Sequence, residues 1–194
     1  MNIKYGKYYT MQRCAWVTEH EISKKYHDEE WGKPLHDDHK LFEFLVLEGA
    51  QAGLSWLTVL KKRENYRKSF DNFDPEKVAK YDEGKVNVLL SNEGIIRNKL
   101  KINSAIRNAK VFLEIQNEFG SFDKYIWGFV NGKPVENKFK SIQNVPAKTD
   151  LSDKISKDLK KRGMNFVGST IIYAFMQATG MVNDHTSDCF LFKE

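Results

Sequence analysis

The feature that most constrains this chain is how rarely its sequence is interrupted. Only four prolines and 12 glycines occur in 194 residues. The segments between them carry apolar residues at helical spacing. No run of six or more residues alternates convincingly between apolar and polar, and no internal repeat is visible. An all-α fold is therefore expected, and caps and breakers place its helices. In the segment 41–52, Leu41, Phe44, Leu45, Glu48 and Ala52 share one face at about 100° per residue, and Gly53 stops it. Ser55 can cap a second helix through Trp56, Val59 and Leu60. Asp74-Pro75-Glu76 supplies a cap, a proline at the first helical position and an acidic first turn. A long helix is expected from Gly94 to Gly120, with Leu100, Ala105, Ala109 and Leu113 in its apolar line. A short helix should cover 122–130, and the polar stretch 131–150, with Pro134 and Pro146, reads as a long loop. Ser152 is expected to cap a helix that buries Ile155 and Leu159 and ends at Gly163. After the turn MNFV, Ser169 and Thr170 open an apolar helix that stops at Gly180.

Composition narrows the class. At 41% hydrophobic and 29% charged residues, the chain is globular in character. Its length suits one domain or two closely fused lobes. No apolar run approaches the roughly 18–20 residues of a membrane span, and MNIKYGKYYT has no apolar core of a secretory signal. Two cysteines cannot staple a secreted mini-protein, so the cytoplasm is the expected compartment. A net charge of +5 and a pI near 9.0 permit a nucleic-acid partner.

Three constellations carry chemistry. The first is the hairpin that runs from Lys160, Lys161 and Arg162 through Gly163 to Gly168, Ser169 and Thr170. A turn followed at once by a helix start presents free N–H groups to a phosphate, and the basic residues add charge. An ordinary helical hairpin with a solvated basic end would look the same. The second is Cys14 and His27 near one end of the chain with His185 and Cys189 near the other. Two Cys and two His suit a closed tetrahedral Zn²⁺ site, which would be structural and would tie the ends together. A Cys14–Cys189 disulfide or two inert buried thiols compete with that reading. His20, His36 and His39 lie in polar surroundings and are expected at the surface. The third is Glu48, a carboxylate on an apolar helix face, with Glu43 opposite as the expected solvent carboxylate. Trp16, Tyr26, Trp31 and Trp56 are its neighbours in sequence. Rings around one acid suit a flat, nitrogen-rich ligand. A core glutamate bonded to a tyrosine or a helix terminus is the competing reading.

Together these strings resemble the DNA-3-methyladenine glycosylase I family. The resemblance rests on Arg13-Cys14-Ala15-Trp16, on 26–32 (YHDEEWG), on 47–67 (LEGAQAGLSWLTVLKKRENYR), on EGIIRNKLKI from Glu93, on LKKRGMNFVGSTIIYAFMQATGMVNDH from Leu159, and on Cys189. It runs from about Met11 to Cys189. Residues 1–10 then read as an extension before a single domain at 11–194, with the hairpin at about 152–180.

The resemblance implies a two-lobed helix–hairpin–helix fold and a monofunctional enzyme that excises 3-methyladenine from alkylated double-stranded DNA. It implies Cys14, His27, His185 and Cys189 as structural zinc ligands and Glu48 and Tyr26 as hydrogen-bonding partners of the base. Trp56 would stack on the base, and Trp16 and Trp31 would be further walls. The Lys160–Thr170 hairpin would hold phosphate, and the Gly53-Leu54 turn would fill the gap left by the extruded nucleotide. A monomer is expected. Ser23 stands where the family commonly has an aromatic, so one wall of the pocket is expected to be thinner here or supplied from elsewhere. Asp184, next to His185, reads as structural, and no lysine is placed as a Schiff-base nucleophile. Another alkylated purine as substrate, or a non-catalytic DNA-binding module, are the alternatives.

Overall fold

The computed structural model describes residues 11–192; the basic extension at 1–10 lies outside the described residues. Nine α-helices carry the described chain. They are α1 (Glu21–Glu29), α2 (Asp38–Gln51), α3 (Trp56–Ser69), α4 (Pro75–Val78), α5 (Glu83–Ser91), α6 (Lys99–Phe119), α7 (Phe122–Gly128), α8 (Asp150–Lys161) and α9 (Ser169–Ala178). The only strands among the described residues are β1 (Val135–Glu136) and β2 (Val182–Asn183), which pair in parallel. This short pairing anchors the 131–150 segment beside the chain that leaves α9. Asn183 Nδ2 donates to Glu136 Oε2 at 2.7 Å and Asn137 Nδ2 to Asp184 Oδ1 at 2.8 Å.

Side-chain caps set the helix starts, because each satisfies a backbone N–H that the helix itself leaves free. Ser55 caps α3 and Asp74 caps α4, as expected. Two starts differ from the sequence reading. The long helix begins at Lys99 rather than just after Gly94, because the Asn98 side chain accepts from Lys101 N. The stretch before it is held as a turn, in which Asn92 accepts from Gly94 N and the Tyr66 hydroxyl from Ile96 N. Leu100 shares the face of Asn103 and Arg107, three and seven residues on, and is 71% exposed, so it does not join the apolar line of Ile102, Ala105 and Ala109. Helix α8 is capped by Thr149; Ser152 is its capping-box partner three residues on.

Helix α2 is the hub, packing on α3, α6, α7 and α9. It is buried along Leu41–Ala50 on every side, so a one-faced amphipathic reading understates it. Glu43 shows the consequence. It does not face solvent but is 6% exposed, held by Arg63 Nε at 2.5 Å and Arg67 Nη2 at 2.8 Å. The end of α9 is pressed against the loop after α1. Leu35 N donates to Thr179 O and Gly32 N to Gln177 O. At Gly180, φ is +68° and a Cβ would lie 2.2 Å from the Lys33 carbonyl carbon, so only glycine permits this approach. No helix among the described residues is long and apolar enough to cross a membrane.

Candidate active site

Two distant ends of the chain meet first. Cys14, His27, His185 and Cys189 are all buried, with ligand atoms within 4.8 Å of one another. Cys14 Sγ lies 3.5 Å from His185 Nδ1, and Cys189 Sγ lies 3.4 Å from His27 Nε2 and 3.5 Å from His185 Nδ1. Sulfur and nitrogen ligands at normal zinc distances in a tetrahedron sit roughly 3.6 Å apart, so the cluster has the dimensions of a metal site. His27 Nδ1 bonds Asp28 Oδ1 at 2.8 Å, and Arg13 Nη2 holds Asp28 at 2.6 Å. That chain fixes the imidazole so that Nε2 faces the cluster. Both cysteines are free thiols rather than a disulfide. Hydrogen bonding to Cys189 and burial push the Cys14 thiol up, while its bond from Cys14, then those to the two imidazoles, pull Cys189 down. A bound cation would favour both thiolates. His20, His36 and His39 are exposed, as expected.

A cavity of about 420 Å³ opens beside this clasp. One wall comes from the first three helices and the chain on either side of α1: Trp16, Tyr26, Trp31, Glu48, Gln51 and Trp56. Trp16 and Trp31 meet edge to face at 5.0 Å, and the Tyr26 and Trp56 ring centres are 5.3 Å apart. Glu48 is 4% exposed and has no hydrogen-bond or ion-pair partner among the described residues. Burial alone pushes its carboxyl up to about 8. Burial, and then the Glu48 charge, push the Tyr26 hydroxyl well above its ordinary value. A lone carboxyl in such a place is costly, and the competing reading of a core glutamate satisfied by a tyrosine or helix end does not hold. The slot therefore offers an acid and flat rings to a ligand that carries donors or positive charge.

The opposite wall was not legible beforehand. It consists of Thr170, Tyr173, Ala174 and Gln177 on α9, with Ile142–Ala147 from the segment read as a loop. The apolar Ile142, Val145 and Pro146 within that polar stretch were the available signal. Asp184 also reaches this wall, with three donors: Tyr173 Oη at 2.6 Å, Gln177 Nε2 at 2.7 Å and Asn137 Nδ2. Ser23 does not line the cavity; it is buried and accepts from Thr18 N at 3.1 Å. Ser23 therefore adds nothing to the wall, and the rings that form it are those of Trp16, Tyr26, Trp31 and Trp56.

Of the other expected residues, Thr170 alone lines the cavity. Gly53 has φ +78°, and Leu54 beside it is 39% exposed at the end of α2. Gly168 is the N-cap of α9, with no side chain closing its first N–H groups. Thr170 is exposed. Ser169 lies beside Asp153, whose carboxyl it and Lys148 hold below the ordinary range. Lys160 and Lys161 are exposed. Arg162 is not available in the same way: its guanidinium pairs with Glu118 at 2.6 Å and Asp158 at 2.8 Å. It clamps the end of α8 and extends no free charge.

A mostly helical fold that sets a ring-lined slot with a buried acid beside a Cys/His clasp is shared with DNA glycosylases of known structure. Residues 16–192 match the profile of methyladenine glycosylases, and the chain belongs to that family. The DNA-3-methyladenine glycosylase of Haemophilus influenzae is 50% identical over 177 residues, which cover 91% of this chain and 96% of that protein. The crystal structure of a 3-methyladenine DNA glycosylase I superposes with a TM-score of 0.92 at 50% identity, covering 94% of this chain and all of that one. A variant of 3-methyladenine DNA glycosylase I in complex with 3-methyladenine gives 0.91 at 36% identity, over 95% of this chain and 99% of that one.

Proposed function

We propose that this chain hydrolyses the N-glycosidic bond of 3-methyladenine in alkylated double-stranded DNA and releases the free base without cutting the strand. The observation that carries this reading is the unpartnered Glu48 carboxyl in a slot walled by Tyr26, Trp56, Trp16 and Trp31. The target base is hidden in the duplex and must be extruded, at a cost of a few kcal/mol. Leu54, presented on the Gly53 turn, takes the vacated place in the stack. Lys160 and Lys161 and the open N–H groups at Gly168, Ser169 and Thr170 hold the flanking phosphates.

Within the slot the rings stack on the purine, and Glu48 and Tyr26 meet its polar edge. Methylation at N3 leaves the base cationic, so its bond to the sugar is already weakened. The C1′–N9 bond breaks, its electron pair leaves with the now neutral base, and water oxygen bonds to C1′ and loses a proton. The Glu48 carboxylate favours the cationic nucleotide and needs no strong acid to assist the leaving group. No lysine lies among the cavity-lining residues, which supports hydrolysis over Schiff-base chemistry. Cys14, His27, His185 and Cys189 would hold Zn²⁺ in a closed structural site that pins the two ends of the chain. Their reduced state suits the cytoplasm, and a monomer suffices for every contact named.

Chromatography of the bases released from methylated DNA tests the reading, and free 3-methyladenine is expected. Release of 7-methylguanine instead would reassign the lesion. Duplex binding with no base released would make the chain a binding module.

A further inference from the structure

The Gly53-Leu54 turn and the Gly163–Gly168 hairpin turn are far apart in sequence, yet one helix holds both. Along α6, Lys101, Ser104 and Asn108 follow one another at helical spacing and bond to backbone rather than to side chains. Lys101 Nζ donates to Ala50 O at 2.7 Å and to Ala52 O at 2.8 Å. Ser104 Oγ and Asn108 Nδ2 both donate to Asn165 O, at 3.2 and 2.8 Å, and Asn108 Oδ1 accepts from Asn165 N at 2.8 Å. Arg107 Nε adds a bond to Gly163 O at 2.5 Å.

Ala50 O is one of the last carbonyls of α2 and Ala52 O belongs to its C-cap, and no later residue of that helix can satisfy either. The Lys101 ammonium also sits at the negative end of the α2 dipole. Burial pulls that ammonium below its ordinary value, which marks it as drawn in from solvent. The turn beyond is closed locally by Leu54 N to Gln51 O at 2.7 Å and Gln51 Nε2 to Leu54 O at 2.9 Å. Lys101 is thus the link that ties this small turn to the scaffold holding the hairpin.

We propose that Lys101 is a positioning residue for DNA engagement: it fixes the Leu54 turn at a set distance from the phosphate-holding hairpin, with α6 as the spacer. The inference rests on the reading of Leu54 as the gap-filling residue. Lys101 touches neither the base nor the cavity, so its loss acts on duplex substrates and not on the base slot.

The test compares Lys101→Met, Lys101→Arg, Leu54→Ala and the double variant Lys101→Met/Leu54→Ala in single-turnover excision from alkylated duplex and single-stranded oligonucleotides. Binding of free 3-methyladenine is followed by tryptophan fluorescence. Lys101→Met is expected to lose about tenfold or more on the duplex, the scale of losing charged hydrogen bonds. It should keep single-strand excision and free-base affinity, and Lys101→Arg should recover most of the loss. The double variant should be no worse than Leu54→Ala alone. The salt dependence of duplex binding should stay that of the parent, whereas loss of a phosphate contact would lower its slope by about one. If Leu54→Ala leaves duplex excision intact, the reading of the turn fails and this proposal with it. If Leu54→Ala is impaired but Lys101→Met is not, the losses simply add, or free-base binding also falls, Lys101 does not position the turn.

Discussion

Replacing Glu48 with Gln separates function from stability, because the two should move in opposite directions. The Glu48 carboxyl is raised from an ordinary 4.5 to about 8 by burial, with no partner to offset it. At about 1.36 kcal/mol per pH unit, keeping it ionised in the free protein costs at most roughly 5 kcal/mol. The folded chain therefore keeps a proton that the unfolded chain releases over this range. Stability from this group is complete below pH 4.5 and is lost as pH rises to about 8. Glu48→Gln removes the titration and leaves a similar volume. Urea unfolding at about pH 5 and about pH 8 should show the variant gaining a few kcal/mol on the parent across that interval. Over the same interval, excision of the cationic base should fall roughly 10- to 150-fold, the equivalent of one hydrogen bond to a charged group. A stability difference that stays constant with pH would show that Glu48 is not the desolvated acid described. Unchanged excision would remove it from the site.

Two further changes probe the frame around the slot. If the Cys/His cluster holds zinc as proposed, Cys14→Ser should lower zinc content by elemental analysis and lower the thermal midpoint, because the cluster joins Cys14 and His27 to His185 and Cys189; a full metal complement in the variant would refute the ligand set. Arg63→Met should destabilise by about 1.5–3 kcal/mol in urea unfolding, since it removes one of the two charged partners of the buried Glu43 carboxylate and leaves Arg67 alone to hold it. Adding Glu43→Gln should return much of that loss, and failure to do so would mean that the pair is not the source.

The helical class, most caps and the two halves of the Cys/His cluster were legible in the sequence because each depends on local chemistry. Glycines and prolines punctuate whatever surrounds them, and a His-x3-Cys spacing brings two ligands to one side within a single turn of chain. The same locality explains the errors. Glu43 lies opposite Glu48 on α2, and a helix read alone assigns that side to water. Whether it meets water depends on α3, which delivers Arg63 and Arg67 from a separate segment. Leu100 looked like core, but Ala105 lies five positions on, and that spacing puts Leu100 on the exposed face of α6.

Local pattern was enough to pick out the chemically capable residues: an acid, three indoles, a phenol, two thiols and two imidazoles at telling positions. Only tertiary packing decided that Glu48 has no partner, that Ile142–Ala147 closes the far wall, and that Arg162 is tied to Glu118 while Lys101 braces the α2 end. Burial and pairing are properties of the space between elements, and residues scores of positions apart fill that space. Local spacing can therefore specify a side chain's chemistry but not whether another element satisfies it.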